Sequence, residues 1–582
     1  MKACFIGSGI GALAGAAFLI RDAGVAGNDI TIFETNTRVF GGALDGTQLA
    51  DGAYSLRGGR MLTTEHYECT WELLAGIPDP DHPGQSVRAR TLDFNAANVS
   101  HAQARLIDRN RHIIDARYMG FSVQDRLELL RLLEASEEKL ADSCITDWLS
   151  APFFETNFWM IWQTTFAFQP WHGATELRRY LHRFINEFPI IDTLAGVKRT
   201  EYNQYDSIVV PLERWLLGHS VRFESGTEVT DIAIDSRMTG EGRTHTVTGL
   251  MLRHERAEWA IPIAPETLVF FQNGAMTDAT SLGTMDMPPP RLTKADSHGW
   301  ALWEKIAEGR PEFGNPAAFN ASIPESLWES FTVTCRNPRF FDAMQALSSN
   351  AAGTGGLVTF KDSRWLMSVV LYHQPHFRDQ PAGVQVFWGY ALHPDRVGDF
   401  VGKAMSDCSG HSLAPSVSFP PAPEGRRPNS LPRVPADIGV LRYGCIGDQD
   451  ADAAFPEVFH HRRDVDDRPG VDAGERFVEQ QDGGVGGHGA RDLATTAFPA
   501  GERDGRGVAD VFDVEFVQQV VELAAALPRG VLEHFEHGRD VLPNGHAAKN
   551  RCLLREIAEA EARARTGVVM AVTSVVPSKI WP

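Results

Sequence analysis

Cysteine is scarce in this 582-residue chain: seven residues, dispersed, with no CxxC spacing. That pattern excludes the disulfide framework of a small secreted domain and fits a reduced intracellular inventory. No HExxH, P-loop or GxSxG segment occurs, so metal hydrolysis and serine-type hydrolysis lack a motif, and no metal is expected. Basic charge is also short, with 55 Lys and Arg against 75 Asp and Glu and a net charge of −20. Such an excess argues against nucleic acid, or an anionic membrane, as a whole-surface partner. No run approaches a transmembrane segment. One uncharged stretch, residues 3–20, follows Lys2 and imitates a signal peptide, but its glycines suit strand, turn and helix better than an apolar leader. A cytoplasmic location is expected, with transient membrane contact left open. What remains is 43% apolar and 22% charged, an ordinary globular composition over a length that calls for two to four domains.

The first informative segment is ACFIGSGIG. Ala3–Ile6 reads as a buried strand and Ala12–Ile20 as a helix of small residues, with Gly7, Gly9 and Gly11 between them. A strict GxGxxG pattern would put its third glycine at position 12, where Ala12 is an allowed small residue. Gly7 permits a tight turn, Gly9 lets backbone approach a pyrophosphate, and first-turn N–H groups point at the phosphates. A second strand, Ile30–Phe33, ends in Glu34, 27 positions after Gly7. A carboxylate there can accept both hydroxyl hydrogens of an adenosine ribose. Gly41 and Gly42 follow in GGALDG, with Asp45. A second glycine pair soon after the ribose acid favours FAD over NAD; the bland alternative is an unliganded glycine-rich turn.

Further along, Arg57-Gly58-Gly59-Arg60 places two guanidinium groups around flexible backbone, suited to a flavin or a diphosphate, or simply to a basic turn. Residues 123–139 read as an amphipathic surface helix. A dense aromatic stretch follows from Trp148 to Trp171; such spacing is usually core, though it also suits the wall of an apolar tunnel. Thr164, Gln169, His172, Glu176 and Tyr180 interrupt it at helix-compatible spacing. A tyrosine hydroxyl can donate a proton where the resulting phenolate is stabilised, but Tyr180 by itself fits a structural hydrogen bond at least as well. Asn203, Gln204 and Tyr205 lie in TEYNQYDSIVVPL. Residues 221–251 suit a hairpin-rich piece with EVTDIAI as a strand. Leu268–Phe271 followed by Asn273-Gly274, Gly353–Phe360 and Val384–Tyr390 read as further strands. His376, in YHQPHF, has no partner assigned by chain order.

Taken together, GSGIGALAGAAFLIRDAG, RGGRMLTTEHYECTWELL, FFETNFWMIWQTTFAFQPWH, RTEYNQYDSIVVPL, FFQNGAMTDATSLG, GTGGLVTFKDSRWLMSVV and FWGYALHPDRVGDFV, in order over residues 1–410, resemble the oleate hydratases, a fatty acid hydratase family also called myosin-cross-reactive antigens. The resemblance implies an α/β fold: an FAD-binding Rossmann-type domain with an inserted, mostly helical substrate domain. It divides the chain at 1–60 (cofactor domain, first part), 61–195 (substrate domain), 196–290 (return to the cofactor domain), 291–410 (mixed segments) and 411–582 (a divergent region). It implies hydration of the cis-9 double bond of oleic acid and related free fatty acids to 10-hydroxy acids, with FAD required and no net redox change. Water and the fatty acid would be the small-molecule partners. The expected cofactor contacts are Gly7, Gly9, Gly11, Ala12, Glu34, Gly41, Gly42, Arg60 and Met61. Tyr180 fills the position of the proton donor, and Gln204 and His376 fill positions that hold the carboxylate. Two departures stand out. Many members have glutamate where this chain has Met61, leaving water activation to another group; Glu65 is a nearby carboxylate. The family's threonine and asparagine carboxylate contacts appear as Val370 and Tyr372. On the nucleotide motif alone, a flavin oxidoreductase of the amine oxidase or desaturase type also fits, as does a non-catalytic flavin- or lipid-binding protein.

Composition switches after Gly410. Of 13 Trp only Trp581 lies beyond it, and residues 411–582 hold just two Lys, Lys549 and Lys579. Loops there are rich in Pro, Gly and Arg, and helices are expected only around 511–528 and 551–565. Either a divergent domain or a shifted reading frame in a GC-rich gene produces such a change.

Overall fold

A computed structural model describes residues 1–413 except 40, 45, 50, 51, 65, 240, 241, 273–278, 297 and 318–324, together with the backbone of Gly439–Ile446 and Glu457–Phe459. Asp45, Glu65, Asn273-Gly274 and the helices expected near 511–528 and 551–565 lie outside these residues. Among the described residues no helix is long and apolar enough to cross a membrane. Within them, His182–Ile191 belong to a second unit and contain a short 3-10 helix, Ile185–Ile190, with Pro189 inside it. Everything below concerns the first unit.

The architecture is α/β, with mixed sheets and helical insertions. Its first element is a β–α–β unit: β1 (Lys2–Ile6), α1 (Ile10–Arg21) and β2 (Ile30–Glu34), with β1 and β2 parallel. Thr267–Phe271 runs parallel on the far side of β1, Arg222–Ser225 parallel beside β2, and Glu457–Phe459 closes the edge antiparallel. Buried small residues Gly11, Ala12, Ala16 and Ala17 let α1 lie close to this sheet. Phe5 stacks on Phe270 across the parallel pair, ring centroids 4.4 Å apart. Leu73, Leu74, Val209, Leu212 and Leu216 complete that core from later helices, burying apolar surface at roughly 25 cal/mol per Å².

Between the strands Arg222–Ser225 and Thr267–Phe271, residues 227–262 form an antiparallel three-stranded sheet containing EVTDIAI. An eight-stranded mixed sheet holds Trp328–Cys335 near its middle. That strand is buried along its whole length. On one flank Tyr54 and Leu56 donate backbone N–H groups to the Thr334 and Thr332 hydroxyls, at 2.9 and 3.0 Å. Phe340, Phe341 and Met344 of the helix Arg339–Ser348 pack into the core that also holds Phe331 and Val333. Gly439–Ile446, beyond the composition switch, pairs antiparallel with both Trp328–Cys335 and Ala279–Gly283.

Two expectations need correction. The helix read over 123–139 stops at Glu134, because Ala135 turns extended and Ser136 opens a new short helix, Glu137–Leu140. Of Gly353–Phe360, only Val358–Phe360 is strand. Gly353 takes φ +81°, and a Cβ on Gly355 or Gly356 would strike Asn350 or Leu194 at 2.7 and 2.2 Å. The glycines make a close-packed turn there.

Candidate active site

The glycine turn follows directly from the β–α–β geometry. Gly7 adopts φ +97°, and its N–H donates to Phe33 O at 2.9 Å. Gly9 caps α1 with extended backbone, without a side-chain cap and with no acidic residue in the first turn. The N–H groups of that turn therefore face outward with nothing anionic of their own to bind, the arrangement that receives phosphate. Gly41 bridges to Gly9, and a Cβ on Gly9 would come within 4.0 Å of Gly42. Glu34 ends β2 buried, and four donors of its own chain reach it. Ser8 N–H and Oγ–H meet Oε2 at 2.9 and 2.5 Å; Asn36 N–H and Nδ2–H meet Oε1 at 2.9 and 2.7 Å.

A second cluster gathers three segments far apart in sequence. Arg60 donates its N–H to Gln204 Oε1, and Gln204 Nε2 donates to Arg60 O, both at 2.8 Å. Asn203, beside it, donates its backbone N–H and Nδ2–H to His376 O at 2.8 and 3.1 Å. The His376 N–H in turn donates to Gln380 Oε1 at 2.8 Å. Leu62 and Lys198 exchange backbone hydrogen bonds at 3.1 and 2.6 Å, which holds Met61 between two anchored residues. Arg60, Gln204 and His376 are thus brought into one neighbourhood.

This cluster also touches the glycine turn. A Cβ on Gly41 would lie 2.3 Å from Val209 Cγ2, and one on Gly46 would lie 2.8 Å from Asn203 Oδ1. The Arg38 guanidinium lies 4.5 Å from the Tyr205 ring centroid.

Electrostatics divide the cluster. His376 is buried, and that burial, followed by the nearby His373, pushes its pKa down to about 3, so the ring is neutral. It stacks face to face on Tyr372 at 3.8 Å between centroids. Burial raises the Tyr372 phenol well above its ordinary range, opposed by Arg60 and Arg199. Burial also lowers Arg199 and Arg105 to about 10, which leaves both cationic at neutral pH.

Tyr180 sits elsewhere, on the helix Ala174–Arg183, 9% exposed. Its ring meets Phe166 and Phe168 edge-on at 5.3 and 5.2 Å. A separate set of contacts joins the same aromatic stretch, at Thr164, to the Arg57–Arg60 turn. Tyr390 donates its hydroxyl to Thr164 O and stacks on Trp388 at 5.0 Å. A Cβ on Gly58 would in turn lie 3.2 Å from Trp388 Cζ2. Within the aromatic stretch, Phe153, Phe158, Trp159 and Trp162 are fully buried and packed on one another, while Phe168, also fully buried, meets His172 and Tyr180. A small pocket lined by Ala167, Gln169, His172, Trp328 and Leu392 opens next to this stretch.

Sequence reasoning passed over Asn203 as the partner of His376, Arg199, and the Trp388–Tyr390 stack. Arg199 carried a readable signal as the only cation inside RTEYNQY, and Trp388 and Tyr390 share one strand face two residues apart; the Asn203–His376 pairing depends on long-range contact alone.

The MCRA family profile matches residues 1–417. An oleate hydratase of Streptococcus pyogenes serotype M49 (strain NZ131) is 33% identical over 419 residues, 71% of this chain and 70% of that protein. A linoleate hydratase of Lactiplantibacillus plantarum is 34% identical over 444 residues, 71% of this chain and 77% of that protein. A solved oxidoreductase from Methanosarcina mazei aligns over 67% of this chain and 79% of its own at 14% identity, with a TM-score of 0.39.

Proposed function

The chain belongs to the MCRA family, and from that premise we propose that it hydrates the cis-9 double bond of oleic acid and related unsaturated fatty acids in an FAD-dependent reaction. The observation that supports this most is the double engagement of residues 203–209. They press on Gly41 and Gly46 of the glycine turn and clasp Arg60 and His376 of the polar cluster. A nucleotide site and an anion-compatible site thereby share one segment. FAD is the cofactor of this reading, held by Gly7, Gly9, Gly11, Ala12, Glu34, Gly41, Gly42, Arg60 and Met61. The uncapped α1 terminus suits its diphosphate. A ribose at Glu34 would take over donor positions now filled by Ser8 Oγ and Asn36 Nδ2.

In this reaction the bound flavin supplies a fixed polar surface that organises the site, and no electrons leave with the product. Tyr180 Oη gives its proton to C9 as cationic character develops at C10. Water adds to C10 and loses a proton, which restores the phenol, so the sum is one water added. Phe166 and Phe168 hold the phenol ring from two sides, fixing its direction at low entropic cost. Gln204 and His376 belong to the end of the site that takes the acid group. Met61 offers no base for the water, which must be activated by another group or by backbone.

Incubating the FAD-supplemented protein with oleate in heavy-oxygen water tests the reading. One labelled oxygen in a 10-hydroxy acid is expected. Oxygen consumption with a desaturated product would instead make the chain a flavin oxidoreductase. Flavin and oleate binding without turnover would leave it a binding protein.

A further inference from the structure

Thr359, Ser368 and Tyr390 stand directly opposite one another on three neighbouring strands, Thr359 paired with Ser368 and Ser368 with Tyr390. Residues opposed across strands project from the same side of a sheet, so one face carries a row of three hydroxyls, all buried. Such a row is costly out of water unless something meets it. Two of its members end on a single residue, Thr164, in the last turn of the helix Asn157–Phe166. Tyr390 Oη–H donates to Thr164 O, one of the last four helix carbonyls, which have no intrahelical N–H to accept. Thr359 Oγ1–H donates to Thr164 Oγ1 at 3.0 Å, and a hydrogen bond at 2.8 Å joins Thr359 to Ser368. Burial holds the Tyr390 phenol well above its ordinary range, opposed by Arg105, so it remains a donor at neutral pH.

The chain just beyond Thr164 holds Tyr180. Ala167 ends the helix in the left-handed region, at φ +53°. Phe166 and Phe168, on either side of it, meet the Tyr180 ring edge-on at 5.3 and 5.2 Å. With one residue between the two rings, a shift of the helix end moves both contacts together. The grip on Thr164 lies two residues before the first of them.

We propose that Tyr390 is a positioning residue for the acid step: together with Thr359 it fixes the helix end so that Phe166 and Phe168 aim the Tyr180 phenol. This rests on the hydratase reading, with Tyr180 as proton donor, and adds to it the residues that hold that donor in line.

Tyr390→Phe removes only the hydroxyl and keeps the ring contacts with Trp388 and Trp328. It is expected to lower kcat roughly 10-fold or more, the scale of a small misplacement of a reacting group. KM for oleate and FAD affinity should stay within about twofold. A readout free of turnover comes from fluorine NMR with 3-fluorotyrosine at the nine tyrosines, the Tyr180 line being the one lost in Tyr180→Phe. That line should shift or broaden in Tyr390→Phe, and in the same direction but less in Thr359→Val, which decides the matter if Tyr390→Phe fails to fold. Ser348→Ala deletes a buried hydroxyl bond on another helix, Arg339–Ser348, and should change neither kcat nor the line. An unmoved Tyr180 line overturns the proposal. So does parent-like kcat in Tyr390→Phe where Tyr180→Phe is impaired, or an equal loss of kcat in Ser348→Ala. A raised KM with kcat intact also overturns it, by making Tyr390 a ligand contact. A moved line in a protein whose turnover ignores Tyr180→Phe upholds the grip and sinks the acid reading alone.

Discussion

Gln204 offers the cleanest test of how the polar cluster is held. Its side chain acts as a strand fragment, accepting from Arg60 N and donating to Arg60 O at 2.8 Å each. Gln204→Leu keeps an apolar stem one atom shorter and removes both bonds. At about 1 kcal/mol net per neutral hydrogen bond, the Arg57–Arg60 turn should lose about 2 kcal/mol of resistance to opening. That corresponds to a roughly 30-fold shift in the local opening equilibrium. Hydrogen exchange at the Arg60 amide reads it directly, with tryptic cleavage after Arg57 and Arg60 as a second measure. Amides of the Thr227–Thr239 strand, in a different sheet, serve as internal controls and should hold their protection. Gln204→Glu should open the turn further at neutral pH, because a carboxylate oxygen replaces the donor facing Arg60 O. Protonation would restore a donor, so that deficit should shrink as pH falls. Parent-like exchange at Arg60 in Gln204→Leu would refute the clamp and leave the turn held by its other contacts.

Tyr180→Phe should preserve folding and flavin binding, since both faces of the ring contact persist, and lower turnover by roughly 10²-fold or more; parent-like initial rates would remove Tyr180 from the acid role. Gly41→Ala should destabilise by about 1–3 kcal/mol in urea unfolding, through a φ of +65° and a Cβ 2.3 Å from Val209 Cγ2. Gly52→Ala, with φ +83° but nothing within 4 Å, should lose only the backbone part, and equal losses would argue against the Val209 contact. The unfolded chain protonates His376 near the ordinary 6.5, whereas the folded site resists down to about 3. Stability present above the higher value is therefore withdrawn as pH falls through that window, by up to ~1.4 kcal/mol per unit. His376→Gln should flatten the slope of unfolding free energy there by about one proton, and an unaltered slope would contradict the neutral buried ring.

The glycine turn was legible because its constraints are local. Strand, glycines, helix, strand and acid occupy one register between Lys2 and Glu34, and each glycine follows from the backbone beside it. The polar cluster was not, because Gln204 meets Arg60 across 144 positions and Asn203 meets His376 across 173. No periodicity encodes such pairings. The aromatic stretch could be read as core or as tunnel wall, since three- and four-residue spacing serves both. The full burial of Phe153, Phe158 and Trp162 makes these residues core. Gly353–Gly356 misled for a related reason: glycines before a β-branched run can open a strand or form a turn. The choice rests on Asn350 and Leu194, which occupy the space side chains would need. The strand Gly439–Ile446 was hidden by a composition switch that drew attention to what the region lacks.

Residues 203–210 show how one segment reaches both the glycine turn and the polar cluster. Val210 N–H donates to Tyr205 O, five residues back, so the chain makes one wide π-helical turn, Tyr205–Val209, before the helix Val210–Gly218. Pro211 follows and has no N–H to give, which leaves Asp206 O without its partner in that register. Arg378 fills the position, donating Nη2–H to Asp206 O at 2.9 Å while its backbone N–H meets Asp206 Oδ2 at 3.1 Å. The 376–380 loop is thereby tied to a carbonyl that the wide turn itself exposes. With an ordinary turn one residue would be lost, and every side chain before it would rotate by about 100° around the helix axis. Asn203 and Gln204 could not then face His376 and Arg60 while Val209 still faced Gly41. The extra residue reconciles the two demands, in keeping with the tendency of π turns to occur at functional sites.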